Sequence, residues 1–200
     1  MRIIVIGATG TIGKAVIKAL APHHQLVKVA YRGGDYRVDL ASKDSIEDLF
    51  RQVGSFDAVV STAGVAKFGS LDELTDDDYM LALTNKLMGQ VNLVRTGRKY
   101  INENGSFTLT SGMLSYHPIP GSSSISMANA GLEGFIRAAA MEMMRGVRVN
   151  VVSPVFVKET MEAMGLDSSH GMSAEKVALA YKESVEGKRN GEVLDVREFA

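Results

Sequence analysis

The sequence predicts an α/β domain: a doubly wound parallel sheet of about seven strands with helices on both faces. Two observations carry this. Strand-like apolar segments alternate with segments of helical period from one end of the chain to the other. Strands joined through helices run parallel in one sheet and need cover on both faces. Composition adds a third. With 46% hydrophobic and 22% charged residues over 200 positions, the chain suits one globular domain, 1–200.

The elements follow in order. Residues 2–6 carry the apolar run Ile3-Ile4-Val5-Ile6, the pattern of a strand buried on both faces. Ile12, Ala15, Val16, Ala19 and Leu20 form a helical stripe that Pro22 ends. Residues 25–31 read as strand two and 36–39 as a brief strand three. Ser42 or Asp44 caps a helix bearing Ile46, Leu49, Phe50 and Val53, and Gly54 stops it. Residues 57–62 are strand four. Thr75 with Asp78 three residues on marks a helix start, and Leu83, Leu87, Val91 and Val94 carry that helix to about residue 100. Strand five is 106–110, a helix rich in small residues spans 123–144, and strand six is 147–152. Ser173 caps a helix with Val177, Tyr181 and Val185 on one face, and 192–196 form the last strand. A sheet of this kind binds its ligands beyond the carboxyl ends of its strands.

Composition excludes several function classes. The formal net charge is −1 and no basic run occurs, so nucleic acid is not an expected partner. There is no cysteine, which removes disulfides, thiolate metal sites and cysteine nucleophiles and is compatible with a cytoplasmic, reducing location. His23, His24 and His170 have no metal-ligand spacing with a carboxylate, so no metal is expected. The apolar start is broken at Gly7, too early for a signal peptide or a membrane span, so no membrane partner is expected.

Gly7-Ala8-Thr9-Gly10-Thr11-Ile12-Gly13 lies between the first strand and the first helix. Bare backbone N–H groups at a helix start are what a phosphate needs, and glycine lets it approach. In that context the loop predicts dinucleotide binding on a Rossmann-type fold. An acid at the end of strand two would select NAD, but that position holds Tyr31 and Arg32. An arginine there pairs with a 2′-phosphate, so NADP(H) is favoured over NAD(H).

Further stations appear in order: Val38-Asp39-Leu40, Ser61-Thr62-Ala63-Gly64, Thr110-Ser111-Gly112, Pro120-Gly121 ahead of the long helix, and Asn150-Val151-Val152-Ser153-Pro154. Together with the glycine loop they resemble the short-chain dehydrogenase/reductase family over nearly the whole chain. The resemblance implies an oxidoreductase acting on a small carbonyl or alcohol. It puts the Asp39 carboxylate on the adenine amino group beside Leu40. It also puts Ala63, Gly64 and Pro154 along the cofactor and Ser111 at the catalytic serine.

The sequence departs from the family pattern in several places. The loop spacing is G-x-x-G-x-x-G, as in extended and atypical members, and Val155 replaces a glycine after Pro154. The Tyr-x-x-x-Lys pair is missing, because matching Pro120-Gly121 and Ala130-Gly131-Leu132-Glu133-Gly134 to the family pattern puts Ile125 at the tyrosine and Asn129 at the lysine. The family's helix asparagine falls at Lys86. Isoleucine has no exchangeable proton, and a lost positioned acid costs about 10²- to 10⁴-fold in rate. Lys86, poorly solvated beside a nicotinamide, is one substitute donor or a ribose ligand. Tyr116 and His117 are others, and Ser111 hydrogen-bonds a substrate oxygen. The Asn129 amide suits ribose hydroxyls.

Two readings therefore stand. One is an NADP-dependent oxidoreductase with an atypical site using Ser111, Lys86 and Asn129. The other is a non-catalytic dinucleotide-binding sensor or partner-binding protein. The resemblance also implies a homodimer through the helices at 79–100 and 123–144.

Overall fold

The computed structural model describes residues 1–199. Among the described residues, seven parallel strands form one sheet in the order β3-β2-β1-β4-β5-β6-β7. They are β1 (Arg2–Ile6), β2 (Gln25–Ala30), β3 (Tyr36–Arg37), β4 (Phe56–Ser61), β5 (Ile101–Thr110), β6 (Arg148–Ser153) and β7 (Val193–Asp195). The helices are α1 (Thr11–Leu20), α2 (Lys43–Val53), α3 (Asp76–Leu81), α4 (Gly89–Gly97), α5 (Ser123–Glu142), α6 (Lys158–Ala163) and α7 (Ala174–Glu186). The strand order reverses between β1 and β4, and the loops that leave those two strands open a crevice there.

Alternation along β1 divides the core. Ile4 and Ile6 face one side with Phe50 of α2, Leu93 of α4 and Ile136 of α5. Ile3 and Val5 face the other with Val16 and Leu20 of α1 and Val177 and Tyr181 of α7. Both faces are covered, which is why β1 reads as a continuous apolar run. Phe50 stacks on Phe56 at 5.3 Å between ring centroids, and both are fully buried. Each such side chain contributes roughly 1.5–3 kcal/mol of burial free energy. Ser42 caps α2 by accepting from the Ser45 N–H, and Thr75 and Asp78 form the expected capping box at the start of α3.

The structure corrects several sequence boundaries. β2 ends at Ala30 and β3 is only Tyr36–Arg37, so Val38 and Leu40 lie beyond the ladder although both are buried. β4 and β6 shift by one residue, β7 loses its outer residues, α4 stops at Gly97 and α5 at Glu142. β5 begins earlier, at Ile101, because Ile101 already pairs with Phe56 of β4, ahead of a register shift between Phe56 and Ala58. The helix expected from Thr75 to about residue 100 runs without a gap from Asp76 to Gly97, but Ala82–Met88 between α3 and α4 is wound as a π-helical segment. There Gly89 passes so close to the chain at Leu40 that an added Cβ would lie 2.8 Å from the Leu40 oxygen. The stretch after Pro154 contains the unexpected α6, and a bridge between Val157 and Met172 ties its ends. Among the described residues no helix is long and apolar enough to cross a membrane.

Candidate functional site

The glycine loop leaves the end of β1 and enters α1. Gly7 has φ +85°, and a Cβ there would stand 2.6 Å from Thr62 Oγ1. A Cβ on Gly13 would stand 2.0 Å from the Gly7 carbonyl oxygen. The Gly10 N–H donates to that same oxygen at 2.9 Å and closes the turn. Gly10 is the N-cap of α1 and provides no side-chain cap. The first-turn amides of Thr11, Ile12 and Gly13 have no intrahelical acceptor and sit at the positive end of the helix. Thr9 and Thr11 are exposed on the rim. This cradle, closed to a Cβ at Gly7 and Gly13 and rich in bare N–H groups, fits a dinucleotide pyrophosphate.

Two cavities flank the loop at the carboxyl ends of the strands. The first is about 300 Å³ and is lined by Gly7, Tyr31, Asp39, Leu40, Gly64 and Asn85, with Ala63 beside them. Asp39 Oδ1 accepts the Ala41 N–H at 2.9 Å, which fixes its carboxylate at the wall. Arg32 is exposed beyond β2, with its guanidinium 5.9 Å from the Tyr31 ring centroid and in no ion pair among the described residues.

The second cavity is about 270 Å³ and brings together Ile12, Lys86, Ser111, Ile125, Asn129 and Pro154. Lys86 comes from the π-helical segment. Its ammonium donates to the Ser111 carbonyl at 3.4 Å, and its stem packs on Gly64, where an added Cβ would lie 3.0 Å from Lys86 Cγ. Lys86 is half-buried, and desolvation of its ammonium pushes the pKa down to about 8. Asn129 Nδ2 donates to the Gly112 carbonyl at 3.3 Å, while its Oδ1 is buried without a partner. Ile125 stands in the same wall, so the position expected to hold a tyrosine is apolar in space as well as in sequence.

The other donor candidates point elsewhere. The Tyr116 hydroxyl donates to Asp195 Oδ2 at 3.0 Å, and its ring meets His117 edge-on at 4.8 Å. Burial, the largest influence, raises the Tyr116 pKa. Neither Tyr116 nor His117 lines the second cavity. Among the described residues no group of three His, Cys, Asp or Glu side chains is placed to hold a metal.

Sequence reasoning missed three residues around the site. Glu133 is buried and accepts from Ser111 Oγ at 3.1 Å and from Ser115 Oγ at 2.6 Å, with Arg137 at 3.9 Å. Helical spacing carries the signal for it, because Ile125, Asn129 and Glu133 recur every four residues on one face of α5. Gln90 bonds the β5 backbone twice, from Nε2 to the Thr110 carbonyl at 2.9 Å and from the Thr110 N–H to Oε1 at 2.8 Å. Asn85 Oδ1 accepts the Val65 N–H at 2.9 Å and pins the chain after β4. The neighbours Asn85 and Lys86 thus serve the first and second cavity respectively.

A family model described as enoyl-(acyl carrier protein) reductase matches residues 4–200. Hydroxynaphthalene reductase arp2 of Aspergillus fumigatus is 30% identical over 156 residues, covering 72% of this chain. The chain spans only 57% of that relative's length. The solved structure of protein lin1944 from Listeria innocua has a TM-score of 0.94 at 39% identity and covers 98% of this chain and 99% of its own. A small-chain dehydrogenase solved in complex with NADPH has a TM-score of 0.87 at 26% identity, with 98% and 95% covered.

Proposed function

The chain belongs to the short-chain dehydrogenase/reductase family, and from that premise we propose an NADP(H)-dependent oxidoreductase acting on a small carbonyl or alcohol through an atypical site. The observation that carries the proposal is the meeting of Lys86, Ser111 and Asn129 in one cavity against the glycine cradle. A nicotinamide dinucleotide, when bound, supplies or accepts the hydride. The chain's own residues divide the remaining work. The loop from Gly7 to Gly13, with Thr9, Gly10, Thr11 and Ile12, holds the pyrophosphate. Arg32 pairs with a 2′-phosphate, which is the reason to favour NADP(H) over NAD(H). Asp39 and Leu40 take the adenine, and Ala63, Gly64 and Pro154 line the path between. Asn129 holds ribose hydroxyls. Ser111 orients the substrate oxygen, and Lys86 holds a proton near it or binds ribose.

NADPH-dependent turnover of a panel of small carbonyls tests this reading. Lys86→Ala abolishes turnover if the ammonium is the donor, and only weakens cofactor affinity if it is a ribose ligand. No turnover by the wild-type chain overturns the catalytic reading. The second reading, a dinucleotide-binding sensor or partner-binding protein, draws on Ile125 in the cavity wall and on Tyr116 turned to Asp195.

A homodimer through the helices at 79–100 and 123–144, in a cytoplasmic setting, belongs to the same proposal. Its support is the exposed Met88 of the π-helical segment and Met127 and Met141 of α5. Sedimentation as a monomer at high concentration contradicts the dimer.

A further inference from the structure

We infer that the substrate carries an anionic group, a carboxylate or a phosphate, seated in a basic cavity beside the reaction cavity by Lys158, His170, Lys176 and Arg197. The inference rests on the reading above, in which the Lys86–Ser111 cavity takes the reacting carbonyl or alcohol.

The basic cavity is about 630 Å³. It shares Met113, Val155 and Phe156 with the reaction cavity, so a ligand can extend from one into the other past apolar walls. Four basic side chains and no acid line it among the described residues, in a chain whose formal net charge is −1. The clustering is therefore a matter of placement rather than composition.

The nearby acids are engaged behind the basic groups. Asp195 accepts from Arg197 Nε at 2.9 Å and from Nη2, which orients the guanidinium and leaves Nη1 without a partner among the described residues. Glu159 accepts the Ala174 N–H through both oxygens, at 3.0 and 2.9 Å. Glu162 forms an exposed i,i+4 ion pair with the Lys158 ammonium at 4.0 Å, beyond hydrogen-bond distance, so the ammonium keeps its donors for a ligand. Lys176 and His170 have no ion-pair partner among the described residues.

Backbone structure holds the rim together. The Lys158 N–H donates to the Met172 carbonyl at 2.8 Å, and the Met172 N–H donates to the Phe156 carbonyl at 2.9 Å. These bonds bring the start of α6, His170 and the first turn of α7 to one opening. Two ammonium groups, a guanidinium braced by Asp195 and an imidazole lining one opening, with no acid among its lining residues, offer the donor set of an oxyanion site.

The four histidines of the chain make ring proton NMR a direct readout. The chain, saturated with NADPH at constant ionic strength, is titrated with inorganic phosphate and, in a second arm, with acetate. A saturable shift of the His170 ring resonances is expected in at least one arm, and the responding arm tells phosphate from carboxylate. A Lys158→Ala/Lys176→Ala variant is expected to weaken that midpoint about tenfold while its NADPH titration and melting temperature stay unchanged. No saturable His170 shift in either arm, or an unchanged midpoint in the variant, overturns the inference. If NADPH does not bind, the same titration of the cofactor-free chain still reads the basic cavity. Failure of the dinucleotide reading is thereby separated from failure of this one.

Discussion

The Ser111 hydroxyl donates its proton to the Glu133 carboxylate, 3.1 Å away. A hydroxyl has one proton to give, so the face that Ser111 turns to the cavity is an acceptor. Ser111 is then arranged to receive a hydrogen bond from an alcohol rather than to protonate a carbonyl. In the proposed oxidoreductase reading, the proton that carbonyl reduction requires is then assigned to Lys86, which lines the same cavity, unless Lys86 serves as the ribose ligand.

Glu133→Leu removes the acceptor shared by Ser111 and Ser115, two hydroxyls within 3.1 and 2.6 Å of one carboxylate oxygen. Each buried group left unpaired costs about 1–3 kcal/mol. Urea denaturation is expected to show a loss in that range or above, with Glu133→Gln well below it because its amide oxygen still accepts. Equal losses for Gln and Leu contradict the hydrogen-bonded role.

Burial holds the folded-state pKa of Lys86 at about 8, below its ordinary 10.5. The unfolded chain therefore binds more protons between those values, and this group makes stability rise with pH across that window. Below pH 8 the folded protein carries the whole penalty, roughly 3 kcal/mol at 1.36 kcal/mol per unit. Lys86→Met should remove the dependence, so the variant's stability relative to wild type is greatest near pH 7 and shrinks towards pH 10. Parallel denaturation curves at pH 7 and pH 10 would rule this out. If the ammonium is the donor, carbonyl reduction should also decline above about pH 8, towards tenfold per unit.

Two glycine-to-alanine changes should act in opposite directions. At Gly13 a Cβ would overlap the Gly7 oxygen at 2.0 Å, so Gly13→Ala is expected to distort the cradle and abolish NADPH binding. At Gly134, inside α5, a Cβ meets nothing within 4 Å. Gly134→Ala is expected to stabilise by about 0.5–1 kcal/mol through helix propensity. Thermal melting and cofactor titration of the pair check both claims, and tight NADPH binding by Gly13→Ala would refute the cradle.

Arg32 is exposed beside Tyr31, which lines the first cavity, and has no ion pair among the described residues. Arg32→Ala is expected to weaken NADPH by about 10- to 100-fold, the worth of a charge-assisted hydrogen bond, and to leave NADH nearly unchanged. Equal losses for both cofactors contradict a 2′-phosphate role.

The layering of the fold was legible because it follows from periodicity. The stripes at Val16 and Leu20, and at Ile46, Leu49 and Phe50, are the ones that cover the sheet. The glycine loop was legible because strand, turn and helix each leave a local mark. The π-helical segment left none. Ala82–Met88 keeps a helical apolar spacing, so nothing local distinguishes it from α-helix, and the close approach of Gly89 to Leu40 beside it is a tertiary contact. Short α6 has no apolar stripe to announce it, and the polar run Asn102-Glu103-Asn104 hid the early start of β5. Within the site, Lys86, Ser111, Ile125 and Asn129 were found as positions in the chain. That Ser111 bonds Glu133, and that Tyr116 bonds Asp195, depends on contacts between distant elements.

Fluorescence titration with NADPH tests the central claim most directly. The chain has no tryptophan, so cofactor emission is read without an indole background. Saturable binding in the sub-millimolar range is predicted for the wild-type chain, with loss in Gly13→Ala. Failure of both NADPH and NADH to bind at that level would contradict the account.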